Sequence, residues 1–269
     1  MHYKPKEVSQ ILNIPTDTLR YFEKIGVINP KVNEQNHYRY YDAWDINFLF
    51  DYLNCRKMDF NSQESINFIK NSSLEQQINF INEKIKDYQK KEEYYHLLSL
   101  KSKNTLSKIE NIHAKLNKVE ICYNEPFYYT VYRHNYNFSK NDEIKKVKNQ
   151  WLKNHALLNN IVFVPKNIIE ERRENEYYWS LAFNEKYFKY LKLEENQYVH
   201  YRPSTLCIKI MIDAKSKGQF HYNLLEKAFN FIEEHNFEIA DDPFGRLLIR
   251  NNDDTGFHRY IEFYIPIKL

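Results

Sequence analysis

Thr18-Leu19-Arg20-Tyr21-Phe22-Glu23-Lys24-Ile25-Gly26-Val27-Ile28 is followed, after a polar stretch, by Tyr38-Arg39-Tyr40-Tyr41. The first segment reads as a short helix, with Gly26 placed to accept the left-handed conformation just past its end. The second packs arginine and tyrosine into a short extended segment. A helix paired with an extended basic-aromatic wing is how a winged helix-turn-helix grips DNA: the helix enters the major groove and the wing holds the flanking backbone.

Upstream, Val8, Ile11 and Leu12 recur at helical spacing between Lys4 and Asn13. Asn13-Ile14-Pro15-Thr16 is a turn, and Thr16 is the expected N-cap of the next helix. Two short helices across a tight turn make a helix-turn-helix. Downstream, Val27 to Tyr41 suits a hairpin wing. Asp42 can cap a helix carrying Trp44, Ile46, Phe48, Leu49, Tyr52 and Leu53, and Asn61-Ser62-Gln63-Glu64 has capping-box form.

Ser72-Ser73-Leu74-Glu75 reads as a second capping box, opening the longest helix of the chain, to about Val119. Ile78, Ile81, Ile85 and Tyr88 form a narrow apolar seam, and neither proline nor glycine interrupts the run. So long a helix asks for a partner helix, most simply from a second copy of the chain. The alternative is a helix lying on its own C-terminal domain.

From Pro126 the pattern changes. Strands are expected at 127–133, 160–164 and 177–183, with a helix from Glu143 to Leu158 between the first two. Residues 198–201 and 206–212 read as a hairpin, Gln219 to His235 as a helix, and 247–250 and 259–267 as the last strands. Strand-helix-strand-strand thus occurs twice, which predicts a duplicated α+β domain with helices on one side of an antiparallel sheet. The expected domains are 1–72, which reads DNA, 73–119, which dimerises, and 120–269, with a ligand groove where its halves meet.

The 269 residues carry a net charge of +3. Residues 1–72 hold nine basic and nine acidic residues, so the case for DNA rests on where the cations sit. The 23 Tyr and 18 Phe fit either an aromatic binding surface or a compositional bias. No apolar run is long enough for a membrane span, and the N-terminus has no apolar signal region, so a cytoplasmic protein is expected. Cys55, Cys122 and Cys207 read as reduced thiols with no disulfide framework.

Four pieces carry a resemblance to a known family: Lys6-Glu7-Val8-Ser9, the segment Thr18 to Gly26, Tyr38-Arg39-Tyr40-Tyr41, and Arg56-Lys57-Met58-Asp59-Phe60. In that order, followed by a long helix, they resemble the DNA-binding domain of MerR-family transcription regulators. Residues 120–269 look like a GyrI-like effector-binding domain, through Gly218-Gln219-Phe220-His221-Tyr222, Asp241-Asp242-Pro243-Phe244 and Ile261 to Ile267. The resemblance implies a homodimer joined by an antiparallel coiled coil. It also implies a palindromic operator in an over-spaced promoter, untwisted so that RNA polymerase engages both promoter elements. Phe22 stands where the family usually has a second tyrosine.

The DNA contacts expected are Thr16, Thr18, Arg20, Tyr21 and Lys24 on the second helix, Tyr38, Arg39 and Tyr41 on the wing, and Arg56 and Lys57 beyond the third helix. For the effector, Glu262 is expected to face an aromatic groove walled by Tyr178, Trp179, His221, Tyr222 and Tyr260, favouring a small amphipathic aromatic and cationic guest. A solvent-facing Glu262 is the alternative. No cofactor or metal is expected: Cys122 stands without a nearby partner in sequence. No nucleophile–base motif points to an enzyme. A regulator with a vestigial effector domain, or a small-molecule hydrolase, are the competing readings.

Overall fold

The computed structural model describes residues 2–34, 37–171, 176–215 and 221–268, with the backbone alone at Tyr222. The chain divides into two units, Met1–Tyr95 and His96–Leu269.

In the first unit, α1 (Pro5–Leu12) and α2 (Thr16–Lys24) form the helix-turn-helix. Asn13 takes the left-handed conformation that ends α1 (φ 51°), and Gly26 does so just past α2 (φ 80°). Pro15, not Thr16, is the N-cap of α2. Its fixed φ fits the turn, and Thr16 becomes the first helical residue. β1 (Lys31–Val32) pairs antiparallel with β2 (Arg39–Tyr40) as the wing. α3 (Ala43–Lys57) is capped by Asp42, which accepts from the amides of Trp44 and Asp45, and α4 (Ser62–Lys70) by the Asn61–Glu64 capping box. Val8, Leu19, Phe22, Val27, Leu49 and Tyr52 meet in one small core. The Phe22 ring packs edge-on against Tyr52 at 5.2 Å, so it is a core residue.

α5 (Leu74–Glu110) has 37 residues, about 55 Å of helix. Its capping box is Ser73 with Gln76, one residue later than the sequence suggests. One stripe packs on its own unit: Phe80 touches Phe60 and Phe68, the Tyr88 hydroxyl donates to the Met58 carbonyl, and Lys91 pairs with Asp59 at 2.6 Å. A second stripe, Leu74, Ile78 and Ile85, is exposed, and α5 has no buried residue. The helix stops nine residues short of the expected end at Val119. A short helix, α6 (Ile112–Lys115), and strand β3 (Val119–Tyr123) take over, because Leu116 onward bonds to the sheet instead.

The second unit is built on a ten-stranded antiparallel sheet among the described residues. In chain order it continues with β4 (Phe127–His134), β5 (Asn137–Phe138), α7 (Asp142–Leu152), β6 (Asn159–Phe163), α8 (Lys166–Glu170), β7 (Tyr178–Asn184) and α9 (Glu185–Tyr190). Then come β8 (His200–Arg202), β9 (Leu206–Asp213), α10 (Glu226–Glu234), β10 (Glu238–Ile239), β11 (Phe244–Asp253) and β12 (Gly256–Lys268). The central order is β9-β12-β11-β6-β7-β4. Each half, read outward from the β11–β6 seam, repeats the other: third strand, fourth strand, first strand. This is the duplication that the strand-helix-strand-strand pattern predicts.

Two expectations are corrected. Residues 198–201 do not form a hairpin with β9: β8 pairs with β4 and extends the first half. The expected helix from Gln219 is in fact α10 from Glu226, preceded by a 3₁₀ turn at Tyr222–Leu225; Gln219 and the motif residues Gly218 and Phe220 lie outside the described residues. Cys122 and Cys207, remote in sequence, are register partners across β3 and β9, both as free thiols. α8 and α10 cover one face of the sheet around Ile208, Ile210, Phe229, Ile261 and Phe263. A side chain at position 245 would intrude here, where Gly245 stands: a Cβ would meet Ile261 and Phe263 at 2.6 Å.

Candidate functional sites

The first unit presents its polar side chains outward on α2 and the wing. Thr16, Arg20, Tyr21 and Lys24 are exposed and Thr18 is half-exposed. Their spacing puts Arg20 and Lys24 one turn apart on a face opposite Leu19 and Phe22, which are buried. Tyr38 on the wing is 64% exposed.

Arg39 and Tyr41 are different. Glu23, on α2, receives both: the Arg39 Nε donates to Oε2 at 2.9 Å and the Tyr41 hydroxyl to Oε1 at 3.0 Å. Tyr41 is 1% exposed, and burial together with Glu23 pushes its phenol far above the usual range. It is a strut that ties the wing to the helix, out of reach of a ligand. Arg39 remains half-exposed and keeps other donors for an anion. Arg56 and Lys57 are exposed at the C-terminal end of α3, where cations complement the helix dipole, and Arg56 donates to the Phe60 carbonyl.

Residues 3–70 match the model of the MerR helix-turn-helix family of regulatory proteins. The chain carries a MerR-type DNA-binding domain. α2, with its exposed cations, lies within the matched residues. No curated protein sequence matches the chain. Among solved structures it is similar to EcmrR in a cryo-EM complex with DNA, at 16% identity, a TM-score of 0.35 and 99% coverage of both chains. It is similar to a MerR-family regulator from Bacillus cereus, at 17% identity and a TM-score of 0.33, covering 43% of this chain and 82% of that one. It is also similar to a hydrolase from Listeria innocua, at 7% identity and a TM-score of 0.36, covering 60% of this chain and 97% of that one. None of the three reaches a TM-score of 0.5, and the MerR assignment rests on residues 3–70.

In the second unit, the residues expected around one groove are dealt to both faces of the sheet. On the face away from α10, register aligns Tyr264, Phe244, Phe163 and Tyr178 across β12, β11, β6 and β7. Their rings follow at 5.1, 5.8 and 5.1 Å. Glu262 and Arg246 occupy the next row. Tyr178 donates to Asp242 at 2.9 Å, and burial pushes its phenol up.

Glu262 is buried, and its carboxylate meets the Lys108 ammonium at 2.6 Å. Arg246, beside it, reaches Glu125 at 3.2 Å. A cleft of about 280 Å³ opens on these groups, with Lys209 and Tyr264 in its wall. The acid expected to anchor a cation is therefore already neutralised by one.

Trp179 lies on the other face, where its ring is 5.4 Å from the Arg133 guanidinium. Tyr260 is buried against Ile112 and Met211 and stacks on His258. His221 is exposed, and the side chain of Tyr222 lies outside the described residues. The strand alternation of Tyr260, Glu262 and Tyr264 was visible in sequence, whereas Lys108, Arg133 and Arg246 joined the sites through register and helix placement, which leave no local signal.

Proposed function

We propose that this chain is a ligand-responsive regulator that dimerises through α5 and binds a palindromic operator within an over-spaced promoter. The carrying observation is the pairing of exposed Arg20 and Lys24 on α2 with a wing tied to that helix through Glu23. We assign Thr16, Thr18, Arg20, Tyr21 and Lys24 to the recognition helix contacts, and Tyr38, Arg39, Arg56 and Lys57 to the DNA backbone. The uncovered stripe Leu74, Ile78 and Ile85 supports a partner helix from a second copy. Two recognition elements on a two-fold axis then demand a two-fold operator, and phosphate contacts offset the cost of untwisting the spacer for RNA polymerase.

The second unit is the GyrI-like effector module in this reading, and its guest a small amphipathic aromatic molecule. Glu262 does not anchor it, because Lys108 occupies that charge. The test is footprinting of the full chain on its own upstream DNA, coupled to transcription from promoters whose spacer is shortened stepwise. Protection of an inverted repeat, with activation lost once the spacer reaches ordinary length, is expected. Protection of non-palindromic DNA, or activation indifferent to spacer length, would sink it.

A further inference from the structure

The α10-side face of the sheet holds a cleft of about 220 Å³ in which three guanidiniums converge: Arg133 from β4, Arg250 from β11 and Arg259 from β12. Its other walls include Tyr136, Tyr177 and Trp179. No carboxylate lines it among the described residues.

Arg250 and Arg259 are direct register partners on adjacent strands. Like charges placed opposite one another destabilise a sheet pair. Burial and the neighbouring Arg250 both lower the Arg259 pKa from its ordinary value. Arg259 is fixed by two donations to the Ala214 carbonyl, from Nε at 3.2 Å and Nη2 at 2.7 Å, which orient the cation without neutralising it. Asp213 is engaged elsewhere: one oxygen takes the His258 Nδ1 at 2.7 Å and the other the Arg259 backbone amide at 3.3 Å. Arg133 is held between two rings, Trp179 at 5.4 Å and Phe138 at 5.5 Å, and its buried Nε has no hydrogen-bond partner. A buried donor left unmade costs free energy that a ligand can recover.

We propose that this cleft binds a small aromatic carboxylate, its anion between the guanidiniums and its ring against Trp179 and Tyr177. Guanidinium matches carboxylate in planar, two-point geometry, which an ammonium guest would not satisfy. The volume lies below the roughly 300–1,000 Å³ of drug-sized pockets, so the guest is about one ring with its acid group. The proposal names the effector class of the regulator reading and rests on that reading for any consequence in transcription.

The test is calorimetry on the full chain with benzoate, benzamide and benzylammonium. Benzoate is expected to bind at least about tenfold more tightly than benzamide, with no saturable binding of benzylammonium. Arg250→Gln, at an exposed position that leaves the core untouched, and Arg133→Gln should each weaken benzoate by about tenfold or more, while Lys146→Gln on the α7 surface should not. Circular dichroism reports whether each variant is folded. Equal affinity for benzamide, no benzoate binding, or unchanged benzoate affinity in folded Arg250→Gln overturns the site. Benzoate binding that leaves transcription unaltered upholds the site and breaks ligand response; operator binding without benzoate binding overturns the site and leaves the DNA-binding reading standing.

Discussion

The two units solve opposite problems with charge. In the first, the α2 cations stand on the surface, and a half-buried carboxylate, Glu23, ties the wing to α2. In the second, cations are drawn inward: Lys101, Lys108 and Arg246 reach the face of the sheet away from α10, and Arg133 and Arg259 the α10-side face. A DNA surface needs charge facing water until a polyanion arrives. A small-molecule cleft needs charge held at fixed points in a partly dry wall, each point supported by a carbonyl, a ring or an acid.

The strongest way to break this comparison is at Lys108. Lys108→Met strands the buried Glu262 carboxylate and should lower stability in urea by about 3 kcal/mol. Adding Glu262→Met should recover most of it. A double variant as unstable as the single would mean that the pair is not what holds this face together.

Gly245→Ala comes next, at about 2 kcal/mol, because its methyl meets Ile261 and Phe263 in the α10-side core. Thermal melting is the readout, and an unchanged midpoint would show that this core yields more than its packing implies.

On the first unit, Arg20→Ala should weaken operator binding about tenfold and flatten the salt dependence by about one ion. Arg39→Ala should flatten it less, since Glu23 already neutralises part of that charge. Equal salt slopes for both variants would erase the distinction between a free and a tethered cation. Tyr41→Phe should cost about 1 kcal/mol of stability while leaving the salt slope of binding unchanged. A changed slope would put Tyr41 on the DNA after all.

The smallest effect sits at Lys101, whose ammonium donates to the Leu158 carbonyl. Burial, then the nearby Arg246, pulls its pKa down to about 8. Below pH 8 the lysine is charged in both folded and unfolded chains, and the cost of burying that charge is fully present. Between about pH 8 and its ordinary value of 10.5 the folded chain sheds the proton first, so the cost fades as pH rises. Lys101→Met should therefore stabilise by less than about 1 kcal/mol near neutrality, with the advantage shrinking towards pH 10. An advantage that grows with pH would reverse the assignment.

The first unit was legible because its information is local. Gly26 after α2, Asp42 before α3 and Asn61 before α4 act within a few residues of themselves, and all three ended or began helices where expected. Tyr41 was misread for the complementary reason: its partner Glu23 lies on another element. In the second unit the duplicated strand-helix-strand-strand order was visible, but not which residues would share a cleft. Tyr178 and Trp179 are sequence neighbours on opposite sheet faces, and Glu262 met Lys108 from far along the chain.

By itself the sequence determined the helix-turn-helix, the wing, the long helix and the repeated order of the C-terminal strands, because caps, glycine conformation and apolar period are properties of contiguous residues. Only the tertiary structure decided that Arg250 faces Arg259, that Glu262 is already paired, and that Trp179 stands beside three guanidiniums. Strand register is a relation between distant segments, and a shift of one residue would have turned each of these side chains to the other face.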